Sequence, residues 1–280
     1  MKWGVQQRLQ FIEYRLFWEG TINRKDLIDT FGVSVPQASA DIKKYKESAP
    51  GNIYYDKSQK KYLVTSKFSP VLGSIDAHSY LSRLSMLSDG TIKKDETHMG
   101  FIPEYAVVPT IERAIDPNIL KKIIKVLRAG NSINIKYQSM SRPSPVWRWI
   151  SPHAFAFDGF RWHIRAFCEL TNEFRDFILG RIIDAQNVKN SKINPADDVR
   201  WNHFVTVKIA AHPELTPDQR KIIEKEYNMK DGVAELKVRA AFIYYVLLRF
   251  RIENKDDLRF LKNKNAILLN YDEIEEYIEN

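Results

Sequence analysis

Hydrophobic residues change their period along this chain, and each period predicts a different element. Val5, Leu9, Ile12 and Leu16 recur at helical spacing and predict a first helix ending near Gly20. Asn23, with Asp26 three residues on, is placed to cap a second helix whose apolar face is Leu27, Ile28 and Phe31, and Gly32 supplies a left-handed stop. Ser34 then caps a third helix with a buried stripe of Val35, Ala38, Ile42 and Tyr45. Two strand-like runs in IYYDKSQKKYLV flank a polar turn that carries Lys57, Lys60 and Lys61. Helix, short glycine-containing turn, helix and basic hairpin together form a winged helix-turn-helix pattern.

From Lys67 to about Gly130 the pattern is mostly helical, which predicts a helical connector. Ser74 is placed to cap a helix with Ala77, Tyr80, Leu81, Leu84 and Leu87 on one face. SDGTIKKDETHMG reads as a loop. Pro117 and Gly130 bracket a further helix, with proline in the first turn where it is tolerated.

From Asn131 the period drops to two. Ile133, Ile135 and Tyr137 share a face, and RPSPVWRWISPHAFAFDGF holds aromatic strands broken by prolines and an Asp-Gly turn. In FRDFILGRII, Arg175, Phe177, Leu179 and Arg181 fall on one side, and Asp176 and Ile178 on the other. This predicts a small, strongly twisted antiparallel sheet, a partly closed barrel of the SH3 or Sm-like kind. Within it, GFRWHIRAF turns Trp162, Ile164 and Ala166 toward a core and leaves Arg161, His163 and Arg165 as a row of cations. Such a row is either a solvated face or a site for an anion.

The last segment predicts a small α+β unit. FVTVKIAAH, VAELKVRA and AILLN read as strands. Thr216 and Pro217 open one helix, and AFIYYVLLRFRI forms another with Phe242, Tyr244, Tyr245 and Phe250 as core. The expected fold class is therefore α+β and multidomain, divided at 1–66, 67–130, 131–197 and 198–280.

Composition narrows the function. A chain of 280 residues has room for two or three domains, and 44% hydrophobic with 28% charged residues is ordinary for a folded protein, which argues against disorder. The lone cysteine, Cys168, excludes an internal disulfide and any multi-cysteine metal site, and fits a reducing cytoplasm. No apolar run has the length to span a bilayer, and the N-terminus lacks a signal-peptide core. The expected location is cytoplasmic and nucleoid-associated, with no membrane partner and no cofactor. The net charge of +8 favours a polyanionic partner. Residues 1–68 hold twelve Lys/Arg against seven Asp/Glu, so five of those eight charges sit in the first quarter.

The third helix carries chemistry suited to a major groove. Outside its core stripe lie the capping Ser34 and Gln37, Ser39, Ala40, Lys43, Lys44 and Lys46. Glutamine pairs bidentately with adenine, serine donates or accepts, and an alanine methyl touches a thymine methyl. The lysines, with Lys57, Lys60 and Lys61 of the hairpin, match phosphates, which set affinity and register. The bland alternative is a helical domain with a solvated lysine face.

Over nearly its whole length the chain resembles the WYL-domain transcriptional regulators, and among them the BrxR/CapW-type repressors found beside bacterial anti-phage defence genes. The residues that carry the likeness are SVPQASADIKKY followed by PGNIYYDKSQKKY, and FRWHIRAF in the sheet. Trp162, His163 and Ile164 stand where the Trp-Tyr-Leu tripeptide names the domain, so His163 departs from the name. The resemblance implies a homodimeric repressor of a phage-defence operon. It implies an inverted-repeat operator in double-stranded DNA as partner and a dimerising C-terminal extension. It also implies a sensor domain that holds a nucleotide or oligonucleotide effector. Matched position by position, it assigns Tyr137, Ser139, His153, His163, Arg165, Arg175 and Arg181 to that effector. Few acidic neighbours are expected beside His163, Arg165, Arg175 and Arg181, which favours a shared anion site in which Tyr137 stacks on a base. Against this, a strand tyrosine often packs in a core, His153 follows a Ser-Pro turn, and Arg175 has Glu173 and Asp176 nearby. Trp162 is expected in the core.

Two other function classes compete with the non-enzymatic reading. One is a nuclease or phosphodiesterase using His153, His163 and His203, with Asp158 and Asp184. The other is a nonspecific RNA-binding adaptor. Neither a His-Glu-x-x-His nor a Gly-x-Ser-x-Gly motif is present.

Overall fold

The structure, a computed structural model, describes residues 3–73, 75–250 and 265–278, and divides into two compact units, 1–111 and 112–280. In the first unit, α1 (Trp3–Glu19), α2 (Arg24–Phe31) and α3 (Val35–Ser48) close over Leu9, Ile12, Leu16, Leu27, Ile42 and Tyr45. The short β1 (Thr21–Ile22) joins β2 (Ile53–Asp56) and β3 (Lys61–Val64) in an antiparallel sheet of order β1-β3-β2. The caps lie where the sequence places them. The Asn23 side chain accepts from the Asp26 amide at 3.1 Å, and the Asp26 carboxylate accepts from the Asn23 amide at 2.7 Å. Gly32 ends α2 with φ 62°, a left-handed value that glycine adopts without strain. Ser34 caps α3 through the Gln37 amide.

Four sequence expectations change here. Val35 is 54% exposed and does not belong to the α3 stripe; the fourth buried position is Asp41. Ser74 lies outside the described residues, and Asp76 caps α4 (Ala77–Ser88) through the His78 and Ser79 amides. Leu81 of α4 points to solvent, while Leu84 is buried. The stretch 67–130 is also less helical than its pattern predicts. It contains α4, one tight turn at Lys94–Thr97, and α5 (Pro117–Ala129), which belongs to the second unit.

In the second unit α5 lays Ile119, Ile123 and Val126 on a five-stranded antiparallel sheet. The strands are β4 (Asn131–Tyr137), β5 (Val146–Phe157), β6 (Trp162–Cys168), β7 (Glu173–Ile178) and β8 (Ile182–Asn190), in the order β7-β6-β5-β4-β8. A single turn of helix, Leu179–Arg181, carries the chain from one edge strand to the other. It crosses the end of β4, where the Gln138 amide donates to the Arg181 carbonyl at 3.1 Å. The sheet thus curls into the partly closed form its short aromatic strands predict. Register sets its faces: Ile135 opposes Arg148, Ile164 opposes Phe177, and Arg165 opposes Asp176.

The rest of the unit follows directly. Here α6 (Val199–Asn202) precedes β9 (Phe204–Ala211), α7 (Pro217–Glu226), β10 (Val233–Arg239), α8 (Ile243–Arg249), β11 (Ala266–Leu268) and α9 (Tyr271–Ile274). The strands pair as β10-β9-β11, and α8 and α9 cover them with Ile243, Leu247 and Ile274. The expected extension of α8 beyond Phe250 falls outside the described residues. Tyr244, expected in the core, is 42% exposed because it sits on the flank of α8, turned away from the line through Ile243 and Leu247.

Candidate functional site

The first candidate surface is α3 with the β2–β3 turn. Ser34, Gln37, Ala40 and Lys43 are exposed along α3, and Ser39 and Lys44 are partly so. The Ser39 hydroxyl bonds back to the Val35 carbonyl at 3.0 Å, so its proton is committed and its lone pairs remain. Lys43 is almost free, 3.9 Å from Glu47 with both side chains mostly in solvent. Lys57, Lys60 and Lys61 project from the turn. Asp56 shapes that turn by accepting from the Ser58 hydroxyl and from the amides of Ser58 and Gln59, and the Ser58 bond leads in holding its carboxyl below the usual range. Two apolar features escaped the sequence reading. Val35 presents its methyls at the start of α3, and Tyr54 lies exposed on β2. Helical spacing could not expose Val35, because it sits in phase with the buried stripe.

The second candidate surface is the row Arg161, His163 and Arg165, and here the structure corrects the sequence. These cations are not free. The Asp158 carboxylate meets His163 at 2.9 Å and Arg161 at 3.1 Å. Asp198 receives Arg165 through Nε at 2.7 Å and Nη2 at 2.9 Å, and also meets His153 at 2.9 Å. Asp176, opposite Arg165 in register, adds a contact at 3.4 Å. The expected scarcity of acids is thus wrong: three aspartates neutralise the row. Burial works against ionising Asp158, but bonds from His163, Phe160, and Arg161 outweigh it and hold its carboxyl at about 2. Asp198 is likewise opposed by burial yet held far below the usual range by His153 and Arg165. For Asp176 burial wins and the carboxyl is pushed up, with Arg165 and His163 pulling the other way. Tyr245 of α8 closes over His163 at 5.3 Å between ring centroids, and its phenol is pushed up by burial and then by Asp176.

The other expected effector residues separate. Strand parity places Tyr137 and Arg175 on the α5 side of the sheet, opposite His163 and Arg165. Arg175 pairs with Glu173 at 2.9 Å in solvent. Trp162, expected in the core, is 49% exposed and packs on Phe157 at the sheet margin. Tyr137 is buried, and its hydroxyl accepts from the Ile178 amide at 3.3 Å. Its ring already meets Phe177 edge-on and Arg148 face-on, so no base stacks there. Ser139 shares its hydroxyl with Ser141, and the Arg181 carbonyl accepts from the amide of Gln138, the residue after Tyr137.

Arg148 is the residue the sequence reading missed. It occupies an inward position on β5, is 6% exposed, and sits 5.3 Å from the Tyr137 ring and 5.7 Å from the Phe177 ring. Its Nε and Nη2 are buried without a hydrogen-bond partner among the described residues. An arginine between Trp147 and Trp149, opposite Ile135, was the available signal. The Arg181 carbonyl and Ser139 lie just past the end of β4, next to Tyr137, over whose ring Arg148 sits with unspent donors.

The histidines of the enzymatic alternative are engaged separately. His153 bonds to Asp198, His163 to Asp158, and His203 stacks on Tyr277. Among the described residues no cluster of His, Cys, Asp or Glu side chains is arranged to hold a metal ion, and no helix is long and apolar enough to cross a membrane.

Comparison with known proteins matches each part of the chain. Residues 4–86 match the winged helix-turn-helix domain of the BrxR transcriptional regulator, 118–187 the WYL domain, and 204–274 the BrxR C-terminal dimerization domain. The chain is 37% identical over 279 residues to a DNA-binding transcriptional repressor CapW of Stenotrophomonas maltophilia, covering 99% of this chain and 93% of that one. It is 37% identical to repressors of the same name from Escherichia coli, over 98% of this chain and 91% of theirs, and from Pseudomonas aeruginosa, over 95% and 91%.

Proposed function

The chain belongs to the family of the CapW DNA-binding transcriptional repressors, and we propose that it works as one of them. In this reading it is a homodimer whose two winged helices sit on an inverted repeat. Residues 1–66 read DNA, 131–197 sense an effector, 198–280 dimerise, and 67–130 join them. The observation that carries the DNA reading is α3 itself. A serine-capped helix exposes Gln37, Ala40 and Lys43 on one face, in the same compact unit as a turn bearing three exposed lysines. Recognition helices enter the major groove and contact base edges with their first residues, while lysines take phosphates. Two-fold symmetry then asks for half-sites about one helical turn apart, or a multiple of it.

For the effector we favour the corner at Arg148, with Arg181 and Ser139, over the row His163 and Arg165. Buried N–H groups without partners are costly, and an anion is the partner that suits an arginine fork. A nucleotide or short oligonucleotide supplies it through a phosphate. The aspartate-neutralised row instead ties the sheet to the dimerisation segment. Footprinting on the DNA upstream of the chain's own gene tests the central reading. A protected inverted repeat is expected; uniform or absent protection sinks it and favours the nonspecific RNA-binding adaptor.

A further inference from the structure

Beneath α3 lies a chain of contacts that the groove-facing reading does not use. Asp41 of α3 is 1% exposed. Its carboxylate accepts from Arg8 of α1 twice, through Nε at 2.6 Å and Nη2 at 3.2 Å. The same carboxylate accepts a third bond at 3.0 Å, from the side-chain amide of Gln37 one turn earlier on α3. Gln37 is exposed, yet its amide is tethered to a buried ion pair.

The tether selects one orientation of that amide. Only the Nε2 end can face a carboxylate oxygen; the reversed amide would set Oε1 against it. Oε1 and the second N–H of Gln37 are therefore turned away from Asp41. An acceptor beside a donor is the edge that matches adenine, which offers the N6 amino donor and the N7 acceptor in the major groove. Guanine offers two acceptors, N7 and O6, and opposes a fixed Oε1. The bond is charge-assisted, and so is stronger than a neutral one. The rotamer freedom of a long side chain is already surrendered before DNA arrives.

We propose that Arg8 and Asp41 are positioning residues for base recognition, holding the Gln37 amide so that each half-site is read for adenine at one base pair. This rests on the DNA-reading role of α3 given above. Arg8 consequently serves Asp41 and not a phosphate, and its side chain is only 14% exposed.

The test selects binding sites from randomised duplexes with the full chain. It compares the wild type with Gln37→Ala, Asp41→Asn, Arg8→Lys, and the double variant Gln37→Ala/Asp41→Asn. Affinities for the selected duplex and its single-base-pair variants are then read by fluorescence anisotropy at one salt concentration. The wild type is expected to prefer A·T at one pair in each half-site, on the order of tenfold. Gln37→Ala and Asp41→Asn each lose that preference at the same pair. The double variant loses no more than either, and affinity for the randomised pool is unchanged. Arg8→Lys keeps the charge but not the fork, and weakens the same preference. If Asp41→Asn does not fold, as judged by circular dichroism melting, Arg8→Lys decides the matter. A wild-type preference retained in Asp41→Asn or Arg8→Lys but lost in Gln37→Ala overturns the proposal, leaving the ion pair as a clamp between helices. No pair sensitive to Gln37 overturns it as well. A wild type that selects no sequence overturns the DNA reading itself, and this inference with it.

Discussion

Arg165 and Asp198 face each other as a two-pronged pair, 33 residues apart in sequence and both almost fully buried. Arg165 belongs to the sheet, and Asp198 caps α6 through the Trp201 amide at 3.1 Å. The pair therefore fastens the five-stranded sheet to the segment that leads into β9. Removing one partner strands the other charge, so Arg165→Ala is expected to destabilise the protein by about 3–5 kcal/mol in urea unfolding. An effector-binding arginine on a solvated face would behave differently, with a change within about 0.5 kcal/mol. That smaller value would restore the row to the solvent.

The Asp158 carboxyl contributes to the pH dependence of stability. Its folded value of about 2 lies below the ordinary 3.8, so the folded state binds fewer protons than the unfolded one. Its contribution is complete above about pH 4 and is lost as pH falls through about 2, amounting to roughly 2 kcal/mol. Asp198, also lowered, acts in the same direction and extends the window downward. Asp176 is raised by burial and acts oppositely, adding stability in acid that is lost as pH rises. Urea midpoints between pH 6 and pH 2.5 should fall, and Asp158→Asn should flatten the fall. An unchanged slope in that variant would assign the acid sensitivity elsewhere.

What could be read from the sequence was local. The caps at Asn23, Ser34 and Thr216 depend on residues two or three positions away, and all three are observed. The two-residue period of the sheet was equally plain. The site was harder, because neutralising partners come from far along the chain. Asp198 lies 33 residues from Arg165 and Asp176 lies 11, and alternation alone assigns a strand residue no distant neighbour. Asp158 was within reach. An Asp-Gly turn places its carboxylate on the amides of Phe160 and Arg161, both at 2.7 Å, and so beside the row of cations. Tyr137 and Arg175 were grouped with His163 and Arg165 although strand parity puts them on the opposite face.

On the DNA surface, charge and sequence reading should separate. Lys43→Ala and Lys61→Ala remove exposed cations, and each should weaken binding to all duplexes alike. Each should also reduce the slope of log affinity against log salt by about 1. Titrations at several salt concentrations measure this. A slope unchanged in both variants would remove α3 and the wing from the DNA.

Arg148 gives the sharpest separation between stability and sensing. A buried guanidinium with two unpartnered N–H positions lowers stability unless something binds it. Arg148→Met keeps the length and the ring contacts with Tyr137 and Phe177 while removing the charge. Apolar replacements of buried charges often stabilise by about 1–4 kcal/mol, so the variant should melt higher than the wild type without ligand. Pyrophosphate or a short oligonucleotide, binding only the folded state, should raise the melting temperature of the wild type and leave that of Arg148→Met alone. Arg175→Ala, which removes a solvated ion pair with Glu173, should keep the response. An Arg148→Met variant that melts lower would show that the guanidinium already has what it needs inside the fold. The anion site would then have to be sought away from the β4–β5 corner.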